Sequence, residues 1–282
     1  MMRGGACIGI VLLLFCATWP AAAQAPSQIE IDGRRAHLTF DDEFDRLDLD
    51  MAARGQGWVP WFKTFNVRSL KGNQELQLYA DKDYLDRNGL PASLDPFRIE
   101  NGVLTITANR LAPAFASHLP AKEKGLLFTS GMISSELSFS QTYGYFEARI
   151  KLPPVRGTWP AFWLMPASGH WPPEIDILEA IGQERTRVHQ NAIRADKVSA
   201  HTHVDVPTDL AEWHRYGLLW TRQELVWFVD GAPTKRIANV VDEPMYMIVN
   251  LAVGGKWPGT PPADTPFPAS MSIDYVRAYA LD

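Results

Sequence analysis

Three carboxylates stand at fixed offsets in the stretch WPPEIDILEAIG, residues 171–182: Glu174, Asp176 and Glu179. They interrupt an apolar, β-rich run, where a charge is costly to bury unless it is paired. A strand alternates faces with period two, so Glu174 and Asp176 share a face. Glu179, five positions from Glu174, would face the opposite way in a regular strand. One extra residue in a β-bulge, with Ile177 and Leu178 sharing one place, returns Glu179 to the first face and leaves Ile175 pointing to the core. Two carboxyl groups flanking one bond suit glycoside hydrolysis: one attacks or activates water, and the other protonates the leaving oxygen. A third acid between them can pair with the nucleophile and tune both pKa values. Taken alone, the stretch also fits a Ca²⁺ cluster or a solvated strand face.

The preceding stretch GTWPAFWLMP, residues 157–166, packs Trp159, Phe162 and Trp163 into five positions. The apolar faces of pyranose rings stack on indole, so aromatics beside paired acids suit a sugar cleft. Trp159 and Trp163 are four apart, which puts both on one strand face; either could instead fill a core. Other chemistries lack their motifs: there is no GxxxxGK[ST], GxSxG or HExxH, and no GxGxxG after a strand. His201-Thr202-His203 could present two imidazoles to a metal, but two histidines are a weak signal and a polar loop explains them as well. The acidic run at 41–50 lacks the glycine of a calcium loop and reads as a solvated segment.

The elements that must position these residues are strands. In residues 97–107, FRIENGVLTIT, two β-rich runs flank Asn101-Gly102, a two-residue hairpin signal. Residues 132–139 (MISSELSF) and 143–152 (YGYFEARIKL) alternate apolar and polar, predicting half-buried antiparallel strands. Residues 218–237 give three more runs, the last after a turn at Asp230-Gly231. The nearly continuous apolar run 245–253 predicts a strand buried on both faces, and 271–281 a closing strand. The one helix-like stretch is short, around 209–214, and the proline-rich segment 257–270 reads as a surface loop. Many short antiparallel strands with turn signals predict an all-β sandwich, a single domain over residues 27–282.

A chain of 282 residues can bury a large core without cross-links. Its net charge is −5, with no basic tract longer than a pair, which argues against non-specific nucleic-acid binding. Both cysteines, Cys7 and Cys16, fall in the N-terminal segment MMRGGACIGIVLLLFCATWPAAAQAP. One charge at Arg3, an apolar run from Ala6 to Trp19 and the small residues Ala21-Ala22-Ala23 are the three parts of a signal peptide, residues 1–23, cleaved after Ala23. The apolar run is short for a membrane span of roughly 20 residues. The expected product is a secreted or periplasmic protein with no cysteine, no disulfide and no membrane span.

EIDILE resembles the signature of glycoside hydrolase family 16 in its bulged ExDxxE form. FDDEF (40–44), NQELQLYAD (73–81), SGMISSELSF (130–139), YGYFEARIKLP (143–153), GTWPAFWLMP, EWHRYGLLWT (212–221), LVWFVDG (225–231), PMYMIVNLAVGGKWPG (244–259) and SMSIDYVRAY (270–279) resemble that family in order. The resemblance implies a concanavalin-like jelly roll of two curved antiparallel sheets, with a cleft across the concave one. It also implies retaining, endo-acting cleavage of a β-1,3 or mixed β-1,3/1,4 glucan or a related bacterial exopolysaccharide, by a monomer that needs no cofactor for catalysis. By that resemblance Glu174 is the nucleophile, Glu179 the general acid/base and Asp176 the assisting acid. Trp159, Trp163 and Trp257 are cleft aromatics, and Asn73 is a polar sugar contact. Family members often carry a histidine about a dozen residues after the acid/base; here Gln190 or Asn191 occupies that place, unless a register slip brings in His189. The resemblance further implies a structural Ca²⁺ held by Glu43, the carbonyl of Gly102 and Asp274. Two rivals share the scaffold: a transglycosylase with the same catalytic residues, and a lectin-like module without turnover, against which the three intact acids argue.

Overall fold

The computed structural model describes residues 24–52 and 54–282. The segment read as a signal peptide lies outside the described residues. The strands, in chain order, are β1 (Gln28–Ile31), β2 (Arg34–Asp42), β3 (Gln77–Tyr79), β4 (Phe97–Glu100), β5 (Val103–Arg110), β6 (Phe128–Ser130), β7 (Met132–Ser134), β8 (Gly144–Lys151), β9 (Thr158–Pro166), β10 (Glu174–Glu179), β11 (Arg187–Ile193), β12 (Thr202–Asp205), β13 (His214–Trp220), β14 (Glu224–Val229), β15 (Ala232–Ala238), β16 (Met245–Val253) and β17 (Ala269–Leu281). Two short helices, α1 (Lys82–Arg87) and α2 (Pro113–Ala116), lie in the loops.

Two sheets stack as a jelly-roll sandwich. One runs β12-β11-β10-β9-β16-β7, antiparallel throughout. The other runs β15-β14-β13-β8-β17-β5-β6-β3, with β2 on β17, β1 on β2 and β4 on β5. Period-two alternation builds the core between them. Phe162 and Leu164 of β9, Ile175 of β10 and Met247, Val249 and Leu251 of β16 meet Phe146, Leu218 and Trp220 from the opposite sheet. All nine residues of β16 are buried, as its continuous apolar run requires. Its odd positions enter this core, while Tyr246 and Ile248 join Phe62, Tyr79, Met132 and Trp163 in a second cluster on the other face.

The hairpin at Asn101-Gly102 forms as its dipeptide predicts: both residues have positive φ, and Glu100 pairs Val103 across β4 and β5. Three local expectations fail. Of residues 132–139 only Met132–Ser134 is strand; the chain then turns, with the Ser138 and Phe139 amides donating to the Ser135 carbonyl. The segment 209–214 is no helix, because Leu210 donates to Arg185, Glu212 to Asp209, and His214 already opens β13. Helix α1 went unread because six residues are too few to show a periodicity, although Asp81 caps it by accepting from the Tyr84 amide at 2.9 Å.

Candidate active site

The bulge is present in β10 and sets the site. Asp176 pairs with Asn191 of β11, and Glu179 with His189, so three residues on β10 span two on β11. On the other side Asp176 pairs with Trp163 and Leu178 with Phe162. The extra residue turns one backbone carbonyl out of the ladder, and Trp227 of the opposite sheet reaches it: its Nε1–H donates to the Asp176 carbonyl at 2.8 Å. Ile175, Ile177 and Leu178 are fully buried in the core. All three carboxylates therefore face away from the core, into a groove of about 750 Å³ across the six-stranded sheet.

Two indoles clamp the outer carboxylates. Trp171 Nε1 donates to Glu174 Oε2 at 2.7 Å, and Trp159 Nε1 donates to Glu179 Oε1 at 2.9 Å. Asp176, 3% exposed, hydrogen-bonds Glu174 and accepts from Asn191, whose own Oδ1 is taken by Ser199 Oγ at 2.7 Å. Burial raises all three acids, and for Asp176 and Glu179 the charges of neighbouring carboxylates add to it. Glu174 is pushed up to about 7 by burial, held back by hydrogen bonds from Trp171 and Asp176. Glu179 is pushed up to about 8 by burial and then by the Glu174 charge, opposed by Trp159. Asp176 is raised well above its ordinary value, by burial and then by the charges of Glu179 and Glu174. Asp176 and Glu174 share a hydrogen bond, and burial favours the protonated form of all three acids. An ionised carboxylate beside a protonated one is the pairing that glycosidic cleavage uses.

The other residues read from the sequence fall in different places. Trp159 lines the groove, and its ring meets Trp257 edge-on at 5.3 Å. Trp257 is 36% exposed and stands edge-on to His189 at 4.6 Å. Trp163 forms the floor: it is 8% exposed, and its Nε1 donates to Asn250 Oδ1 at 2.7 Å. Asn73 lines the groove and donates to Glu75 Oε1 at 3.1 Å. Gln190 does not face the groove. It is fully buried on the opposite face of β11, where Thr234 of β15 donates to its Oε1 at 3.0 Å. Its neighbours His189 and Asn191 take the groove side, because they oppose Glu179 and Asp176.

Sequence reasoning missed Trp171, which is 48% exposed and bonded to Glu174, and Phe65, an exposed groove aromatic. Trp171 stands in the quoted motif three residues before Glu174, and that proximity was the available signal. It also missed the contacts of His189, whose Nε2 lies 2.7 Å from Glu184 and whose Nδ1 lies 3.1 Å from His201.

Of the residues read as calcium ligands, both carboxylates have arginine partners. Both Glu43 oxygens accept from Arg277, at 2.7 and 2.9 Å. Asp274 accepts from Arg149 at 2.7 Å. Each carboxylate is neutralised by a guanidinium, and a divalent ion would have to displace or adjoin it. Gly102 serves the hairpin turn.

Comparison with known proteins yields a family and several relatives. The family described as Glycosyl hydrolases family 16 matches residues 61–277. Two curated relatives come from Rhizobium meliloti (strain 1021). Endo-1,3-1,4-beta-glycanase EglC is 41% identical over 252 residues, covering 86% of this chain and 52% of its own. Endo-1,3-1,4-beta-glycanase ExsH is 40% identical over 278 residues, covering 96% of this chain and 57% of its own. The chain thus spans little more than half the length of these relatives. Among solved structures, the endo-beta-1,3-glucanase from Pyrococcus furiosus superposes with a TM-score of 0.75 at 31% identity, covering 92% of this chain and 99% of that one.

Proposed function

Since the chain belongs to glycosyl hydrolases family 16, we propose that it cleaves internal β-glycosidic bonds of a β-1,3 or mixed β-1,3/1,4 glucan, or a related bacterial exopolysaccharide, with retention of configuration. The observation that carries this reading is the bulge, which places Glu174, Asp176 and Glu179 in one aromatic-lined groove. Glu174 Oε attacks the anomeric carbon while Glu179 gives its proton to the departing glycosidic oxygen. The products of this step are a glycosyl ester on Glu174 and a shortened glycan with a new hydroxyl. Glu179, now ionised, removes a proton from water, whose oxygen bonds to the anomeric carbon as the bond from that carbon to Glu174 Oε breaks and frees Glu174. Asp176 donates a hydrogen bond that orients Glu174, and Trp159 and Trp257 supply apolar ring faces for sugar.

Residues 1–23 support export, and among the described residues no helix is long and apolar enough to cross a membrane. The test is release of reducing ends from a panel of polysaccharides including laminarin, a mixed-linkage β-glucan and a galactan. New ends from the glucans in mid-chain lengths support the proposal. Binding to these polymers with no new ends, under all conditions of pH, would replace it with the lectin-like reading.

A further inference from the structure

Glu75 is a fourth carboxylate at the catalytic pocket, and neither step of the double displacement uses it. It is 5% exposed. Gln77 Nε2 donates to its Oε2 at 2.7 Å and the Leu70 amide to the same oxygen at 3.2 Å; Asn73 Nδ2 donates to Oε1 at 3.1 Å. Burial raises its pKa, these three donors oppose that rise, and no cation enters the balance. A buried carboxylate without a cation is an expensive feature to keep unless its charge or its geometry is used.

Both have a use here. The bond from Asn73 Nδ2 turns that amide so that Oδ1 and the second N–H are left for the groove that Asn73 lines. Glu75 also lines, with Glu174, Asp176 and Glu179, a small pocket of about 80 Å³ that shares residues with the groove. A negative charge on that wall opposes ionisation of Glu179 and supports the raised value described above. Resting on the proposed hydrolysis, we propose that Glu75 is a positioning residue: its buried charge orients Asn73 toward the sugar and keeps the proton on Glu179 until the leaving oxygen takes it. The other titratable groups around Glu179 are Glu174 and Asp176 on its own strand, His189 on β11, whose pKa burial lowers, and Tyr79 on β3, whose pKa burial raises. β9 and β16 bring Trp159, Ala161, Trp163, Asn250 and Ala252, none of them charged, and Arg68, Lys71, Lys122 and Glu123 line the outer groove.

The test is the pH dependence of kcat/KM on a glucan that the wild type cleaves, measured for three variants. If the wild type cleaves no glycan, it is the proposed function that fails. Glu75→Gln removes the charge, so the alkaline limb should move down by about one pH unit, with KM raised. Glu75→Asp keeps the charge but shortens the reach to Asn73: KM should rise several-fold while the alkaline limb stays at the wild-type position. Asn73→Ala should raise KM by a similar factor, also without moving the limb. A Glu75→Gln enzyme with wild-type KM and limb overturns the proposal, as does one that differs only in melting temperature. Should Glu75→Gln fail to fold, Glu75→Asp decides alone, since a wild-type KM there overturns it.

Discussion

Replacing Trp171 by Phe keeps a ring at the groove and removes one hydrogen bond, the 2.7 Å donation from the indole to Glu174. A hydrogen bond to a charged group contributes about 1.5–3 kcal/mol. Trp171 is 48% exposed, so water replaces part of that donation, leaving about 1–2 kcal/mol. The lost donor stabilises the ionised form, so Glu174 should bind its proton more tightly by about one pH unit, at 1.36 kcal/mol per unit. The nucleophile must be ionised to attack, so the acid limb of kcat/KM should move up by that amount. Activity should fall roughly tenfold on the acid side of the profile and recover toward wild type on the alkaline side. Because the carboxyls titrate together, both limbs are properties of the group of acids, and the comparison is between whole profiles. The assay is initial-rate release of reducing ends across pH 4–10 (a range of about six units around the shifted values). An acid limb that stays in place in Trp171→Phe would refute the argument that this indole sets the state of the nucleophile.

Glu179→Ala should lose hydrolysis of natural glucan yet still attack an activated aryl glycoside, and added azide should give the β-azide; an α-azide would mean inversion. Glu179→Gln should melt at a higher temperature than wild type in alkaline buffer. The folded-state pKa is raised to about 8, so the penalty of ionising this buried group is absent below the ordinary carboxyl range and grows as pH rises toward 8. Equal melting temperatures at pH 9 (about a unit above that value) would contradict this. Trp257→Ala should raise KM without changing the melting temperature, whereas Trp163→Ala should lower the melting temperature as well, since a large buried side chain leaves a cavity worth about 3–5 kcal/mol; the reverse pattern would exchange their roles. EDTA should leave the melting temperature unchanged, while Arg277→Met should lower it by leaving Glu43 without its partner. A drop of several degrees on chelation would restore a metal to Glu43 and Asp274.

The bulge was legible because two simple facts collide in EIDILE: strands have period two, and Glu174 and Glu179 are an odd number apart. If both acids serve one groove, an extra residue must lie between them. Trp159 and Trp163 were legible as sharing a face by the same period, but not as platform and floor. That difference depends on Phe62, Tyr79 and Asn250, which the chain brings from distant segments to cover Trp163. Gln190 was misplaced because the turn between β10 and β11 resets the count. Parity along β11 is fixed by which residue pairs with Asp176, and no distance along the sequence gives that pairing. Trp171 was not legible, because it precedes the strand and nothing local says that an indole there will bend back to Glu174. Glu43 and Asp274 were read for the oxygen ligands they carry; Arg277 and Arg149 claim those oxygens from the same strand and its neighbour. The sequence pattern thus carries what one strand does to itself, and it loses what one strand does to another.

The central claim is that Glu174 forms a covalent bond to sugar. A 2-deoxy-2-fluoro β-oligoglucoside with a good leaving group slows the second step and lets the ester accumulate. Peptide mass spectrometry of the inactivated protein should then place one fluorosugar on Glu174. A label on Glu179 or Asp176, or a protein left unlabelled while it still turns over natural glucan, would contradict the account.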